Sequence, residues 1–248
     1  MTIFYGDGKL QLEKMKIDAL FLSDVHLGSK GCDAESLLMI LKKYKPKQLF
    51  LVGDIIDGWL LRRRMYWKQP FTNIIRKILS YSKNGTEVIY ITGNHDEFLR
   101  IYSEIDLGMI KIVDEYEFNN YFITHGDLYD GVVQLKWLGK LGGWGYELAI
   151  YIDRTLKKFG YKKSFSKMLK DKVKKAVKFI TNFEIQLVYQ ATIRDCKGVI
   201  CGHIHKPENK IITIKEIDIH YLNCGDWIEN NSYIIFDKGE FKLIESYV

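Results

Sequence analysis

Seven side chains of metal-binding type recur in five short clusters: Asp24 and His26 in DVH, Asp54 in GDIID, Asn94 in GNHD, His125 in HGD, and His203 and His205 in GHIH. Two carboxylates, one amide and four imidazoles exceed what one four-coordinate ion with an open position uses. Two ions sharing a bridging carboxylate would use them all, and mixed nitrogen and oxygen donors suit Mn, Fe or Zn rather than Ca. Paired divalent ions are a standard device for in-line displacement at phosphorus, so the donor set points to a dinuclear phosphoester hydrolase. A lone histidine after a strand is usually a packing or surface residue. His220, in IDIHYLN with no motif around it, keeps that reading, while the other five histidines, His95 included, all fall inside the clusters.

Each cluster follows a short apolar run: DALFLS, QLFLV, EVIYIT, YFIT and GVIC. Strand-like runs alternate with the helical patterns AESLLMILKK and FTNIIRKILSYSKNG from Ile17 to Asp127, which is the signature of an α/β sheet. In open α/β sheets ligands gather beyond the carboxyl ends of the strands, where all five clusters fall. Asp24 and His26 are two apart, as are His203 and His205, so an extended backbone turns each pair to one side. Asn94 and His95 are adjacent and diverge, leaving one for metal and the other for substrate. The glycines beside the clusters allow sharp turns near an ion. Asn84-Gly85 reads as a left-handed helix cap and Lys238-Gly239 as a hairpin turn. After Lys197 strands return as GVICGHIH, IITIKEIDIHYLN, SYIIFD and FKLI.

Between these α/β portions, residues 131–190 lose their strand signals. Phe165, Leu169, Val173, Ala176, Ile180, Phe183 and Leu187 recur at spacings of four and three, marking the apolar stripe of a long helix. With no internal repeat and no linker rich in Pro, Gly or Ser, 1–248 reads as a single domain interrupted by a helical, Lys-rich insertion at 131–190.

The 248 residues are 47% hydrophobic and 27% charged with only three prolines, which excludes disordered and collagen-like classes. The formal charge of +6 is unevenly spread. From Arg154 to Lys178 eleven basic residues stand against Asp171 alone, giving that segment +10 and leaving −4 for the rest. Four cysteines without CxxC spacing fit a reducing compartment. The N-terminus has acids and lysines where a signal peptide needs an apolar stretch, and no run reaches the roughly 18 apolar residues of a membrane span. A cytoplasmic chain, soluble or peripheral on the inner membrane, is the expectation.

The ordered series DVH, GDIID, GNHD, HGD and GHIH resembles the calcineurin-like metallophosphoesterases over nearly the whole chain. The resemblance implies two central mixed β-sheets flanked by helices, with Asp24, His26 and His205 holding one divalent ion, Asn94, His125 and His203 the other, and Asp54 bridging them. It makes His95 the residue that stabilises the transition state or protonates the leaving oxygen, oriented by Asp57, with Asp96 a competing partner. Within the superfamily, SDVHLG, the insertion after HGD, GHIHKP and Asn223-Cys224-Gly225-Asp226-Trp227 resemble the UDP-2,3-diacylglucosamine pyrophosphatase group. Those enzymes use Mn at the cytoplasmic membrane face to hydrolyse a nucleotide-linked lipid A precursor. In the well-studied members Arg stands where this chain has His95, which is the wider superfamily's residue and leaves a broader phosphomonoesterase or phosphodiesterase, nucleases included, as the alternative.

The substrate side is less specific. Trp59, Arg62 and Arg63 follow the bridging aspartate closely; arginine forks suit phosphate and an aromatic suits a base or sugar face, against the plainer reading of a solvated charge run beside buried aromatics. Asp127, after His125, carries the same two readings. The basic segment 154–178 reads as a solvated helix face, as a surface for anionic lipid or, least well, as a nucleic-acid site, since aromatics for base stacking are sparse among its lysines.

Overall fold

The computed structural model describes residues 3–6, 9–12, 14–130, 180 and 182–246, the first two stretches by backbone pairing alone. Residues 1–125 and 188–248 form one compact unit and 126–187 a second. Of the apolar stripe, Phe165, Leu169, Val173 and Ala176 lie outside the described residues, as does the whole segment 154–178; residues 180 and 182–193, which carry Ile180, Phe183 and Leu187, are helical.

In the first unit, β1 (Ile3–Gly6) and β2 (Lys9–Leu12) pair antiparallel. The larger sheet has six strands: β3 (Met15–Leu22), β4 (Tyr44–Val52), β5 (Glu87–Ile91) and β6 (Ile110–Val113) run parallel, with β12 (Ser232–Asp237) antiparallel beside β3 and β13 (Glu240–Glu245) antiparallel beside β12 at the edge. The other has five: β8 (Tyr121–Thr124), β9 (Gly198–Cys201) and β11 (Ile217–Asn223) are parallel, flanked by β7 (Glu115–Phe118) and β10 (Glu208–Ile214). Helices α1 (Ala34–Lys43), α2 (Gly58–Arg63) and α3 (Gln69–Lys83) complete the described elements that bear on the site.

The apolar runs of β3, β4 and β5 are continuous because both faces are buried. Leu20, Leu22, Leu49, Leu51 and Val88 join Leu37, Leu41, Ile74 and Ile78 of α1 and α3 in one core. The alternate residues Ala19, Phe21, Phe50, Val52, Ile89 and Ile91 meet Ile123, Ile200 and Leu222 of the five-stranded sheet in a second, where Phe21 and Phe50 stack at 4.6 Å. This double burial fixes strand register, since a one-residue slip would exchange the two faces.

Two local expectations are revised. The run IITIKEIDIHYLN is a hairpin rather than one strand: β10 and β11 are joined at Lys215 and Glu216, both at positive φ (49° and 67°) without the Asn-Gly signal that such a turn usually shows. The DVH and HIH segments are not extended, as described below. Gly85 (φ 86°) and the Lys238-Gly239 turn (53° and 85°) match their sequence readings.

Candidate metal centre

All five clusters lie at the carboxyl ends of strands: Asp24 and His26 after β3, Asp54 after β4, Asn94 and His95 after β5, His125 after β8, and His203 and His205 after β9. Three come from one sheet and two from the other, so the site depends on the two sheets facing each other across their shared core.

The pairs converge by turning rather than by extension. Asp24 (φ 50°), His26 (51°), Asp54 (55°), His203 (71°) and His205 (52°) all occupy the left-handed region, which costs non-glycine residues energy and persists where the surroundings hold it. The β3 and β4 extensions hold it here, through Asp24 N–H to Gly53 O at 3.1 Å and His26 N–H to Asp54 O at 2.9 Å. Gly53 turns at φ 76°, as expected. Gly93 serves close approach instead: a Cβ there would lie 2.2 Å from Asp54 Oδ1 and 2.6 Å from Asp54 N.

The donor atoms form overlapping groups, Asp24 with His26 and His205, Asp24 with Asp54 and His125, and His26 with Asp54 and His95, each within 4.8 Å. His203 lies beside His125 with ring centroids 5.2 Å apart, and its N–H donates to Asp24 Oδ2 at 3.0 Å. His125 Nδ1–H can donate to Val52 O at 2.9 Å, which turns a bare Nε2 towards Asp54 Oδ2 at 3.3 Å. His26 Nε2 and His205 Nε2 face each other at 3.3 Å, while their Nδ1 atoms face Asp57 and Asp226. Lone pairs opposed in this way need a cation or a proton between them. Asn94 Oδ1 is buried and accepts no hydrogen bond among the described residues, and Asp24 Oδ1 faces the Nε2 atoms of His205 at 3.2 Å and His26 at 3.7 Å. The donor set therefore fits divalent ions.

Without metal, protons take the cation's place. Burial lowers the affinity of His26 for a proton, but its bonds to Asp24 and Asp57 and the charges of Asp24 and Asp54 raise its pKa to about 10. His205 is raised in the same way by Asp24 against burial. Burial pushes Asp24 up, yet the surrounding His125, His205 and His26 hold it well below the carboxylate range.

His95 sits at the edge of the cluster. Its Nδ1 is 3.1 Å from Asp57 Oδ1, its N–H donates to Asp54 Oδ1 at 2.7 Å, and Trp59 covers its ring at 4.2 Å. Asp57 lies also 3.3 Å from His26 and caps α2 through Leu60 N–H; burial raises its pKa but the two imidazoles bring it down overall. Asp96 is occupied elsewhere, accepting from Gly93 N–H, Ile55 N–H and the Tyr90 hydroxyl. Arg62 and Arg63 are exposed in the last turn of α2 and make no ion pair among the described residues. Asp127 is buried in the turn Asp127–Tyr129 of the second unit.

Sequence reading missed Ser23, whose Oγ lies 2.6 Å from both Asp24 Oδ2 and Val52 O. Only its position next to Asp24 could have suggested it.

The family model for calcineurin-like phosphoesterases matches residues 17–207, a span containing all five clusters. The chain belongs to that family. As a family member it is a metal-dependent phosphoester hydrolase with the α/β architecture of two mixed sheets. It is 24% identical to a UDP-2,3-diacylglucosamine hydrolase of Aeromonas salmonicida over 92% of each chain. It is 25% identical to one of Porphyromonas gingivalis, covering 94% of this chain and 98% of that one. A dimetal phosphatase from Danio rerio is similar in structure at 13% identity and a TM-score of 0.46, over 92% of this chain and 95% of that one.

Proposed function

We propose that this phosphoesterase holds two divalent ions, Mn foremost with Fe or Zn as the alternatives, and hydrolyses the diphosphate bond of UDP-2,3-diacylglucosamine or a related nucleotide-linked glycolipid. The observation that carries the dinuclear reading is the convergence of ligand atoms: His26 and His205 Nε2 opposed at 3.3 Å beside Asp24, and His125 Nε2 3.3 Å from Asp54 Oδ2, with Asn94 Oδ1 buried and accepting no hydrogen bond among the described residues. Near-full-length similarity to the two named hydrolases supports the substrate class.

Asp24, His26 and His205 would hold one ion and Asn94, His125 and His203 the other, with Asp54 available to both. When bound, such ions polarise the phosphate and lower the pKa of an attacking water. Asp57 fixes the His95 tautomer with Nδ1–H towards the carboxylate, so that Nε2 is left to stabilise charge or move a proton at the leaving oxygen. Trp59 keeps water from one face of that ring, and Arg62, Arg63 and Asp127 are the further substrate-side groups.

Purified, Mn-loaded protein given UDP-2,3-diacylglucosamine releases UMP, and Asp54→Ala abolishes that release. No UMP, with rapid hydrolysis of an aryl phosphodiester, supports instead the broader esterase that His95 favours.

A further inference from the structure

The Asn223-Cys224-Gly225-Asp226-Trp227 string has no role in the ligand set, yet its aspartate is wholly buried beside it. Asp226 Oδ1 accepts from Ile228 N–H at 2.7 Å and Glu229 N–H at 2.6 Å, which anchors the loop. Oδ2 turns the other way. It accepts from Asn230 Nδ2 at 2.5 Å and lies 3.8 Å from His205 Nδ1. The same Asn230 amide donates to the main-chain carbonyl of His205 at 2.9 Å. His205 is thus approached at its backbone and at its ring by one connected pair, and its backbone is in the left-handed region. The loop also holds the other end of that ligand group, through Trp227 N–H to Asp24 O at 3.1 Å.

A residue at positive φ stays there only when its neighbours over-determine it. An imidazole that binds metal through Nε2 performs best when an outer carboxylate or carbonyl faces its Nδ1–H. Both conditions meet in Asp226. We propose that Asp226 is a positioning residue for His205, fixing through Asn230 the strained backbone, and through its own charge the ring orientation, with which His205 reaches the first ion. The proposal rests on the dinuclear reading above.

Asp226→Asn separates this role from loop anchoring. Its amide oxygen can still accept from Ile228 and Glu229, while its NH2 meets the donors of Asn230 and His205. Chelator-treated wild type, Asp226→Asn, His205→Ala and the double variant are titrated with MnCl2 by calorimetry, with metal content measured after gel filtration and folding followed by circular dichroism. Wild type takes up two ions. Asp226→Asn weakens one of them about 10- to 100-fold and leaves the other within twofold. In the His205→Ala background it causes no further loss, because its effect runs through that ring. Asn230→Ala, which leaves the Asp226 anchor intact, weakens the same ion and keeps the test open if Asp226→Asn fails to fold. Wild-type affinity for both ions in Asp226→Asn, or an equal loss with and without His205, overturns the proposal alone. A wild-type chain that takes up no Mn overturns the dinuclear reading and this proposal with it.

Discussion

Asp57 shows how much of this centre is decided by single side chains. One oxygen faces His95, the other faces His26, and the first also caps α2, so one carboxylate ties a ring at the edge of the cluster to a ring inside it. The same residues make metal and proton competitors. In the metal-free chain His26 has its pKa raised to about 10, above an unfolded value near 6.5. A raised histidine stabilises the fold fully below its unfolded pKa, and that contribution is lost as pH rises from about 6.5 through about 10. The bound ion needs the neutral ring, so its affinity runs the other way. We expect the melting temperature of chelator-treated protein to fall between pH 7 and 10 while the stabilisation by saturating Mn grows. Calorimetry in buffers of different ionisation enthalpy should detect proton release on Mn binding at pH 7. Pairs of melting curves that shift in parallel with pH, with no proton release, would exclude His26 as a ligand.

At the scale of elements, the centre is built from strand ends whose backbones approach too closely for side chains. Gly93 follows β5 and Thr92, and its missing Cβ is what lets Asp54 reach inward. Gly93→Ala would put a carbon 2.2 Å from Asp54 Oδ1 and 2.6 Å from Asp54 N, and the backbone side of that contact cannot rotate away. The expected result is a folded chain that loses Mn and at least 100-fold in kcat, as read by metal analysis and turnover; full metal content in that variant would show that β4 and β5 can separate at no cost. The clusters were legible in sequence because buried parallel strands read as unbroken apolar runs, so that polar residues after Leu22, Val52 and Ile91 stood out. The left-handed backbones of Asp24, His26, His203 and His205 were not legible, since the groups that meet them are distant in sequence: Gly53 and Asp54 for the first two, Asp24 for His203 and Asn230 for His205. The hairpin at Lys215-Glu216 was hidden for a related reason: its register comes from seven residue pairs of β10 with β11, not from its turn residues. Asp57 could be favoured over Asp96 as the partner of His95 only in three dimensions, because both lie within three residues of a candidate ligand and only their contacts distinguish them.

For the whole molecule, the substrate proposed above carries acyl chains, and the chain must bring its candidate centre to them. No helix among the described residues is long and apolar enough to cross a membrane. Charge provides a candidate. The segment 154–178 carries +10 while the remainder, Asp24 and Asp54 included, carries −4. Near an anionic surface each Lys or Arg adds about 1 kcal/mol, an effect that fades beyond a Debye length of about 8 Å at physiological salt. Six lysine-to-glutamine changes among Lys157, Lys158, Lys162, Lys163, Lys167 and Lys170 should therefore cut binding to phosphatidylglycerol vesicles by at least 100-fold in 0.05 M salt, and far less in 0.5 M. The same variant should hydrolyse a soluble aryl phosphodiester at the wild-type rate, because none of the six is a metal ligand or a substrate-side group proposed above. Its loss should appear only with lipid-embedded substrate, as a raised KM at unchanged kcat, the pattern of weakened uniform binding. Vesicle binding that is unchanged by the six substitutions, or insensitive to salt, would remove the basic segment from the membrane argument and leave it a solvated run of charge.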